Sequence, residues 1–250
     1  QDLKIDIIHA PFSYRRHLEQ AVLLSNMLRI PFAYAFRSGD LYVEPRTERE
    51  KKFMEKASAV MTISSYAKSS CMEKFGIRKV EIIHSSIDIH KFRPEITKKG
   101  GKRITCVCRF IECKGVEYLI KACRILKEKG GDFTCTLVGG GPLKEKYEKL
   151  IRDYALQEIM VTKGFLTQEE VKKELGDSMI FVLPCVILEN DEKDILPNVL
   201  KEAMAMELPV VTSDICGIEE LVRHNENGLL VLPRDSTAIA DAIEKLLKNG

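Results

Sequence analysis

An α/β protein of two doubly wound parallel-sheet domains is the fold class this sequence predicts, and three observations carry the prediction. Short apolar, β-branched runs alternate with amphipathic helical runs through almost all of the 250 residues, the pattern of repeated βαβ units. Ten such strand-like runs are many for one open sheet in a chain of this length. A polar, basic stretch with Pro and Gly, Arg93-Pro-Glu-Ile-Thr-Lys-Lys-Gly-Gly-Lys-Arg103, divides them into four and six and reads as a linker.

The strand runs fall at residues 5–9, 32–36, 59–64 and 80–84 before the break. After it they fall at 104–109, 133–138, 159–163, 179–184, 209–213 and 228–232. Helical spacing of apolar residues appears between them. Leu18, Ala21, Val22, Ser25 and Leu28 share one face; Leu119, Ile120, Cys123 and Leu126 share another; Leu143, Tyr147, Leu150, Ile151 and Tyr154 repeat the pattern. Val199, Leu200, Ala203 and Met204 form a fourth such face, behind Pro197, which suits a first helical turn because it has no N–H to leave unpaired. The expected organisation is therefore residues 1–94 as the C-terminal part of a first domain, 95–103 as linker and 104–250 as a second domain. The first domain reads as incomplete: the chain opens on a buried-type strand with no helix ahead of it, whereas parallel strands need cover on both faces.

Hydrophobic content of 45% and charged content of 30% describe a globular chain, and no apolar run approaches the roughly 20 residues that span a bilayer. The first residues lack the basic-then-apolar pattern of a signal peptide. A net charge of +2 gives no dominant basic field, which speaks against a nucleic-acid binder. Of the eight cysteines, Cys106, Cys108, Cys135 and Cys185 sit in strand-like runs, where Cys serves as a small hydrophobe. Cys106-Val-Cys108 with Cys113 lacks the paired spacing of a zinc site and has no His nearby, so these thiols read as structural. Thiols of this kind place the chain in a reducing, cytoplasmic compartment.

Four segments carry candidate chemistry. In Asp194-Ile-Leu-Pro-Asn-Val-Leu-Lys-Glu202 two acids flank a predicted helix start, whose free N–H groups and partial positive charge can hold a phosphate. Phosphate plus hydroxyls suits a nucleotide sugar; the plainer alternative is a dipole-favouring acid and a surface Glu. Arg109 and Lys114, in Arg-Phe-Ile-Glu-Cys-Lys-Gly, follow the first strand of the second domain, where parallel sheets bind ligands. Two cations there would neutralise a diphosphate, or they are solvated surface charges. Gly139, Gly140 and Gly141 close a strand and open a helix, but the G-x-G-x-x-G fingerprint is absent. Thr212-Ser-Asp-Ile-Cys-Gly ends another strand and reads as a helix cap or as part of a cleft.

In order and spacing these segments, with Val-Thr-Lys-Gly-Phe165 and His84-Ser-Ser-Ile-Asp88-Ile-His-Lys-Phe92, resemble the family-4 retaining glycosyltransferases over nearly the whole chain. The resemblance implies two Rossmann-like domains in the GT-B fold, with the first truncated at its front. It implies an enzyme that moves a sugar from a UDP- or GDP-sugar to a saccharide or lipid-linked acceptor with retention of configuration. Arg109 and Lys114 would bind the diphosphate and stabilise the leaving group. Glu202 would bind the ribose hydroxyls, and Asp194 takes the place of an acid that contacts the donor sugar. The backbone of Leu196, Pro197 and Asn198 would approach the donor, and Gly139, Gly140 and Gly141 would lie by the nucleotide. The nucleotide sugar is a co-substrate, and neither cofactor nor metal is implied. A lipid-linked acceptor would bring peripheral contact with the inner membrane face.

Five departures from the family pattern stand out, one of them Cys108 in place of the usual Gly before Arg109. Asp194 is shorter than the usual Glu, Ile195 replaces the Gly that often follows it, and Glu207 replaces the Gly that ends the helix. Arg37 occupies the place of a His near the donor sugar. That last change favours an alternative, a catalytically weakened nucleotide-sugar binding or scaffold protein.

Overall fold

The structure is a computed structural model that describes residues 4–11, 15–36, 47–94 and 101–249. By packing these form two units. The first comprises residues up to Ser85 together with Asn190–Leu196; the second comprises Ser86–Glu189 and the chain from Pro197 onward.

The first unit holds β1 (Ile8–Ala10), α1 (Arg15–Leu28), β2 (Phe32–Ala35), α2 (Glu48–Glu55), β3 (Ala59–Thr62), α3 (Ser65–Phe75) and β4 (Glu81–Ile82). Its strands are all parallel and lie in chain order, β1-β2-β3-β4. Leu18, Ala21 and Val22 bury one stripe of α1, as their spacing predicts. Leu28, in the last turn, is 51% exposed and does not share that buried stripe. Helix α2 begins on a capping box, in which Thr47 Oγ1 accepts from the Glu50 N–H and the Glu50 carboxylate accepts from the Thr47 N–H at 2.8 Å. Ser64 caps α3 by accepting from the Ala67 N–H at 3.0 Å, and Gly76, at φ +70°, ends it. The core centres on Tyr34, Phe36 and Phe75, whose rings meet edge-on at 5.4 Å and stacked at 5.2 Å.

The second unit holds β5 (Arg103–Val107), α4 (Val116–Glu128), β6 (Thr134–Val138), α5 (Lys144–Asp153), β7 (Met160–Lys163) and α6 (Gln168–Gly176). It continues with β8 (Ile180–Leu183), α7 (Asn198–Ala205), β9 (Val210–Ser213), β10 (Gly228–Val231) and α8 (Ser236–Asn249). The parallel order β10-β9-β8-β5-β6-β7 reverses direction between β5 and β8. That is the doubly wound arrangement, with its ligand-binding crevice expected outside the carboxyl ends of the strands at the reversal. β8 and β9 are buried at every residue, which fits their unbroken apolar and β-branched runs.

Packing divides the chain after Ser85 rather than after residue 94. Phe92 is 2% exposed, and Lys91 pairs with Glu169 at 3.1 Å, so residues 86–94 belong with the second unit. Most of the expected linker, 95–100, lies outside the described residues, and Arg103 already begins β5.

Candidate active site

The sequence places Arg109 just past β5, and the structure shows what aims it outward. Beyond the strand the chain keeps pairing with its neighbour: the Cys108 N–H donates to the Val138 carbonyl at 3.0 Å and the Phe110 N–H to the Gly140 carbonyl at 2.8 Å. The return bond runs from the Leu143 N–H to the Phe110 carbonyl at 3.1 Å. Phe110 is fully buried, edge-on to Tyr147 of α5 at 5.6 Å, while Arg109 beside it is exposed. A buried aromatic thus anchors the turn, and the guanidinium projects from it.

Two glycines let these loops close on one another. Gly139 has φ +132°, and a Cβ there would stand 1.9 Å from the Cys108 carbonyl oxygen. Gly115, at φ +67°, follows the 3₁₀ turn Glu112–Lys114, and its Cβ would stand 1.9 Å from the Pro184 carbonyl oxygen. The Val186 N–H also donates to the Cys113 carbonyl at 2.9 Å. The loop carrying Arg109 and half-buried Lys114 therefore lies against both the Gly139–Gly141 turn after β6 and the loop after β8. These are neighbouring loops at the sheet's reversal point.

Helix α7 starts in that last loop. Pro197 is its N-cap, one position earlier than a first-turn residue, with extended ψ of 124°, and no side chain caps the start. No acid sits in its first turn, so its positive end is uncompensated there. Glu202 lies in the second turn, half-buried, with no side-chain hydrogen bond or ion pair among the described residues. Burial holds its carboxyl above the ordinary range. Half-buried Lys201 donates to Asn198 Oδ1 at 3.2 Å, and burial pulls its ammonium below the ordinary value.

The two acids eight positions apart fall in different packing units. Asp194, Ile195 and Leu196 pack with the first, whereas Pro197, Asn198 and Glu202 pack with the second. Asp194 is half-buried, its Oδ1 accepting from the Ile195 N–H at 3.1 Å. Ile195 is fully buried, so its side chain belongs to the packing. Glu207 adopts φ +57° at the end of α7, where the Leu208 N–H reaches the Ala203 carbonyl at 3.1 Å and the Glu207 N–H the Met204 carbonyl at 3.0 Å. This is a Schellman end with Glu in the left-handed place that favours Gly.

Arg37 lies outside the described residues. Thr212 is neither a helix cap nor a cleft residue: its buried hydroxyl donates to the Leu183 carbonyl at 2.7 Å, stapling β9 to β8. None of the eight cysteines forms a disulfide, and all but Cys108 are buried.

One residue of the Val-Thr-Lys-Gly-Phe165 segment has no role assigned from sequence. Phe165, after β7, is 78% exposed, and its ring lies 2.8 Å from where a Gly140 Cβ would stand. An exposed aromatic face beside a glycine turn is a surface on which a flat heterocycle can stack. The only signal in the sequence is a Gly-Phe pair just beyond a strand.

A doubly wound unit that carries two cations, a glycine turn and a helix start near its reversal point has groups that can hold a phosphorylated ligand. The family described as glycosyl transferases group 1 matches residues 88–250, and the chain belongs to it. It is 36% identical over 170 residues to the amylovoran biosynthesis glycosyltransferase AmsK of Erwinia amylovora, covering 67% of this chain and 42% of that protein. It is 34% identical over 176 residues to the putative colanic acid biosynthesis glycosyltransferase WcaL of Escherichia coli K12, covering 69% and 43%. Anabaena HepE, solved in complex with UDP, superposes with a TM-score of 0.82 at 19% identity, over 98% of this chain and 69% of that one. The fold is that of GT-B glycosyltransferases. The chain spans about four-tenths of the length of these curated relatives.

Proposed function

We propose that this chain carries the donor-binding machinery of a metal-independent, retaining glycosyltransferase that takes a UDP- or GDP-sugar and serves a saccharide or lipid-linked acceptor in polysaccharide biosynthesis. What supports the reading most is the lacing of the loops after β5, β6 and β8, which gathers Arg109, Lys114 and the glycine turn at one reversal point. In this reading Arg109 and Lys114 take the diphosphate, and the start of α7 at Pro197 and Asn198, with Leu196 before it, adds backbone dipole. These positive groups meet the charge that builds on the departing diphosphate, the work a metal ion does elsewhere. Gly139, Gly140 and Gly141 leave room for the nucleotide, Phe165 offers its face to the base, and Glu202 accepts from the ribose hydroxyls. A half-buried carboxylate with no partner among the described residues is costly without a ligand, which fits a group waiting for hydroxyl donors. Asp194 meets the donor sugar. The reading places the protein in the cytoplasm, at the inner membrane face when the acceptor is lipid-linked.

Calorimetry with UDP, GDP, UDP-glucose and GDP-mannose tests this. Lys114→Ala is expected to weaken nucleoside diphosphate binding about 10- to 100-fold, the loss of one charge-assisted contact. Unchanged affinity would remove Lys114 from the site. A second reading, a binding protein without turnover, is favoured by Arg37 in the place of the family's His. Donor binding without sugar transfer would select it.

A further inference from the structure

The segment Asn190–Leu196 is adjacent in sequence to α7 yet packs in the first unit, along α3. Its hold on α3 is ionic. Lys193 is 3% exposed, and its ammonium bonds the Asp191 carboxylate and Tyr66, standing 5.6 Å from the Tyr66 ring centroid. Lys74, in the last turn of α3, takes the other Asp191 oxygen, while Tyr66 lies in the first turn. Two anchors at opposite ends of one helix fix both the place and the direction of the segment.

Local geometry stiffens it further. Asn190 Oδ1 accepts from the Glu192 N–H at 3.1 Å, and Asp191 takes φ +66°, a conformation that Asp tolerates. From Lys193 to Pro197 every residue is buried except Asp194. The carboxylate of Asp194 is thus held between buried neighbours, Lys193 before it and Ile195 after it. A lysine this deeply buried gives little net stability, because desolvation offsets its ion pair. Such a pair specifies position.

We propose that Lys193 is a positioning residue for Asp194: clamped between Asp191 and Tyr66, it fixes the segment on α3 so that the Asp194 carboxylate is presented in one place. This rests on the reading of Asp194 as the acid that meets the donor sugar. It assigns the accuracy of sugar recognition to a buried cation that never touches the sugar.

The readout is the affinity for a nucleotide sugar relative to its nucleoside diphosphate, UDP-glucose against UDP and GDP-mannose against GDP. The diphosphate reports chiefly on Arg109 and Lys114, which lie outside the segment, so the ratio weighs the sugar's own contacts. Lys193→Met keeps the stem and removes the charge; it is expected to shift the ratio against the nucleotide sugar about tenfold with diphosphate affinity unchanged. Tyr66→Phe removes one hydroxyl and is expected to shift the ratio the same way by about threefold, which keeps the test open should Lys193→Met fold poorly. A Lys193→Met protein with a lower thermal midpoint and equal losses for both ligands would make Lys193 merely structural and overturn the proposal. So would unchanged ratios in both variants while Asp194→Asn lowers the ratio. If Asp194→Asn leaves the ratio unchanged, the underlying reading of Asp194 fails, and the proposal with it.

Discussion

The two units are both parallel α/β sheets, yet they differ in what their strand order makes available. In the first, β1 to β4 follow one another in sequence, so no reversal point occurs among the described residues. In the second, the chain leaves β5 in one direction through β6 and β7 and returns to its other side at β8. Loops after β5 and β8 then meet at that point, where Gly115 stands against the Pro184 carbonyl, on the edge at which such sheets generally bind ligands. Surface character follows the same division. In the first unit α1 leaves Leu23, Leu24 and Met27 exposed opposite its buried stripe, an apolar surface. In the second the exposed groups at the carboxyl edge include Arg109 and the ring of Phe165. The same sheet type thus gathers loops at a switch point only where its winding reverses.

Glycine substitution should break the comparison most strongly. Gly76 in the first unit and Gly115 in the second have nearly the same φ, +70° and +67°. A Cβ on Gly76 meets nothing within 4 Å, whereas on Gly115 it meets the Pro184 carbonyl oxygen at 1.9 Å. Gly115→Ala is expected to cost about 3 kcal/mol and to lose nucleotide binding, because the backbone must move at the reversal point. Gly76→Ala is expected to cost about 1 kcal/mol, the left-handed penalty alone. Urea unfolding measures both, and equal costs would show that the close approach at Gly115 is not tight.

The helix caps should behave alike. Thr47 in the first unit and Thr167 in the second each close a capping box, with Glu50 and Glu170. Thr47→Ala and Thr167→Ala are each expected to cost about 1 kcal/mol in denaturant unfolding. A large difference would mean that the surroundings, and not the motif, set the value.

The smallest effect concerns pH, and its sign differs between the units. In the second, burial raises the Glu202 carboxyl above its ordinary 4.5. Its contribution to stability is therefore complete below the unfolded value and is lost as pH rises through the folded value. In the first, burial alone would raise Asp191, but hydrogen bonds from Lys193 and Lys74 outweigh it and hold the carboxyl below 3.8. That contribution is present above the unfolded value and is lost as pH falls through the folded one. Glu202→Gln is expected to gain stability relative to the parent chain as pH rises from about 4.5 to neutrality, and Asp191→Asn to lose its deficit only in acid. Thermal midpoints across that range check both signs.

Much of the fold was legible because the apolar runs are local. All ten strand runs became strands, since β-branched residues such as those of β8 and β9 have one way to be buried in a parallel sheet. Leu18, Ala21 and Val22 marked the inner face of α1 for the same reason, whereas Leu28 obeyed the period and still lies exposed. At the candidate site, Arg109, Lys114 and the glycines were visible as residues at strand ends. The joining of their loops was not visible, because hydrogen bonds such as that from Phe110 to Gly140 link residues 30 apart in the chain. Lys193 gave no signal at all, since nothing in the sequence around a lysine reveals that it is buried.

By itself the sequence determined the two parallel sheets, the positions of the strand ends and the residue types waiting there. These depend on side-chain period and turn chemistry within a few residues. Only the tertiary structure decided that Asp194 packs in one unit and Glu202 in the other, and that Gly115 must be glycine because Pro184 stands against it. Such facts are set by close packing between segments far apart in the chain, where a carbonyl oxygen or a buried ammonium excludes every other arrangement.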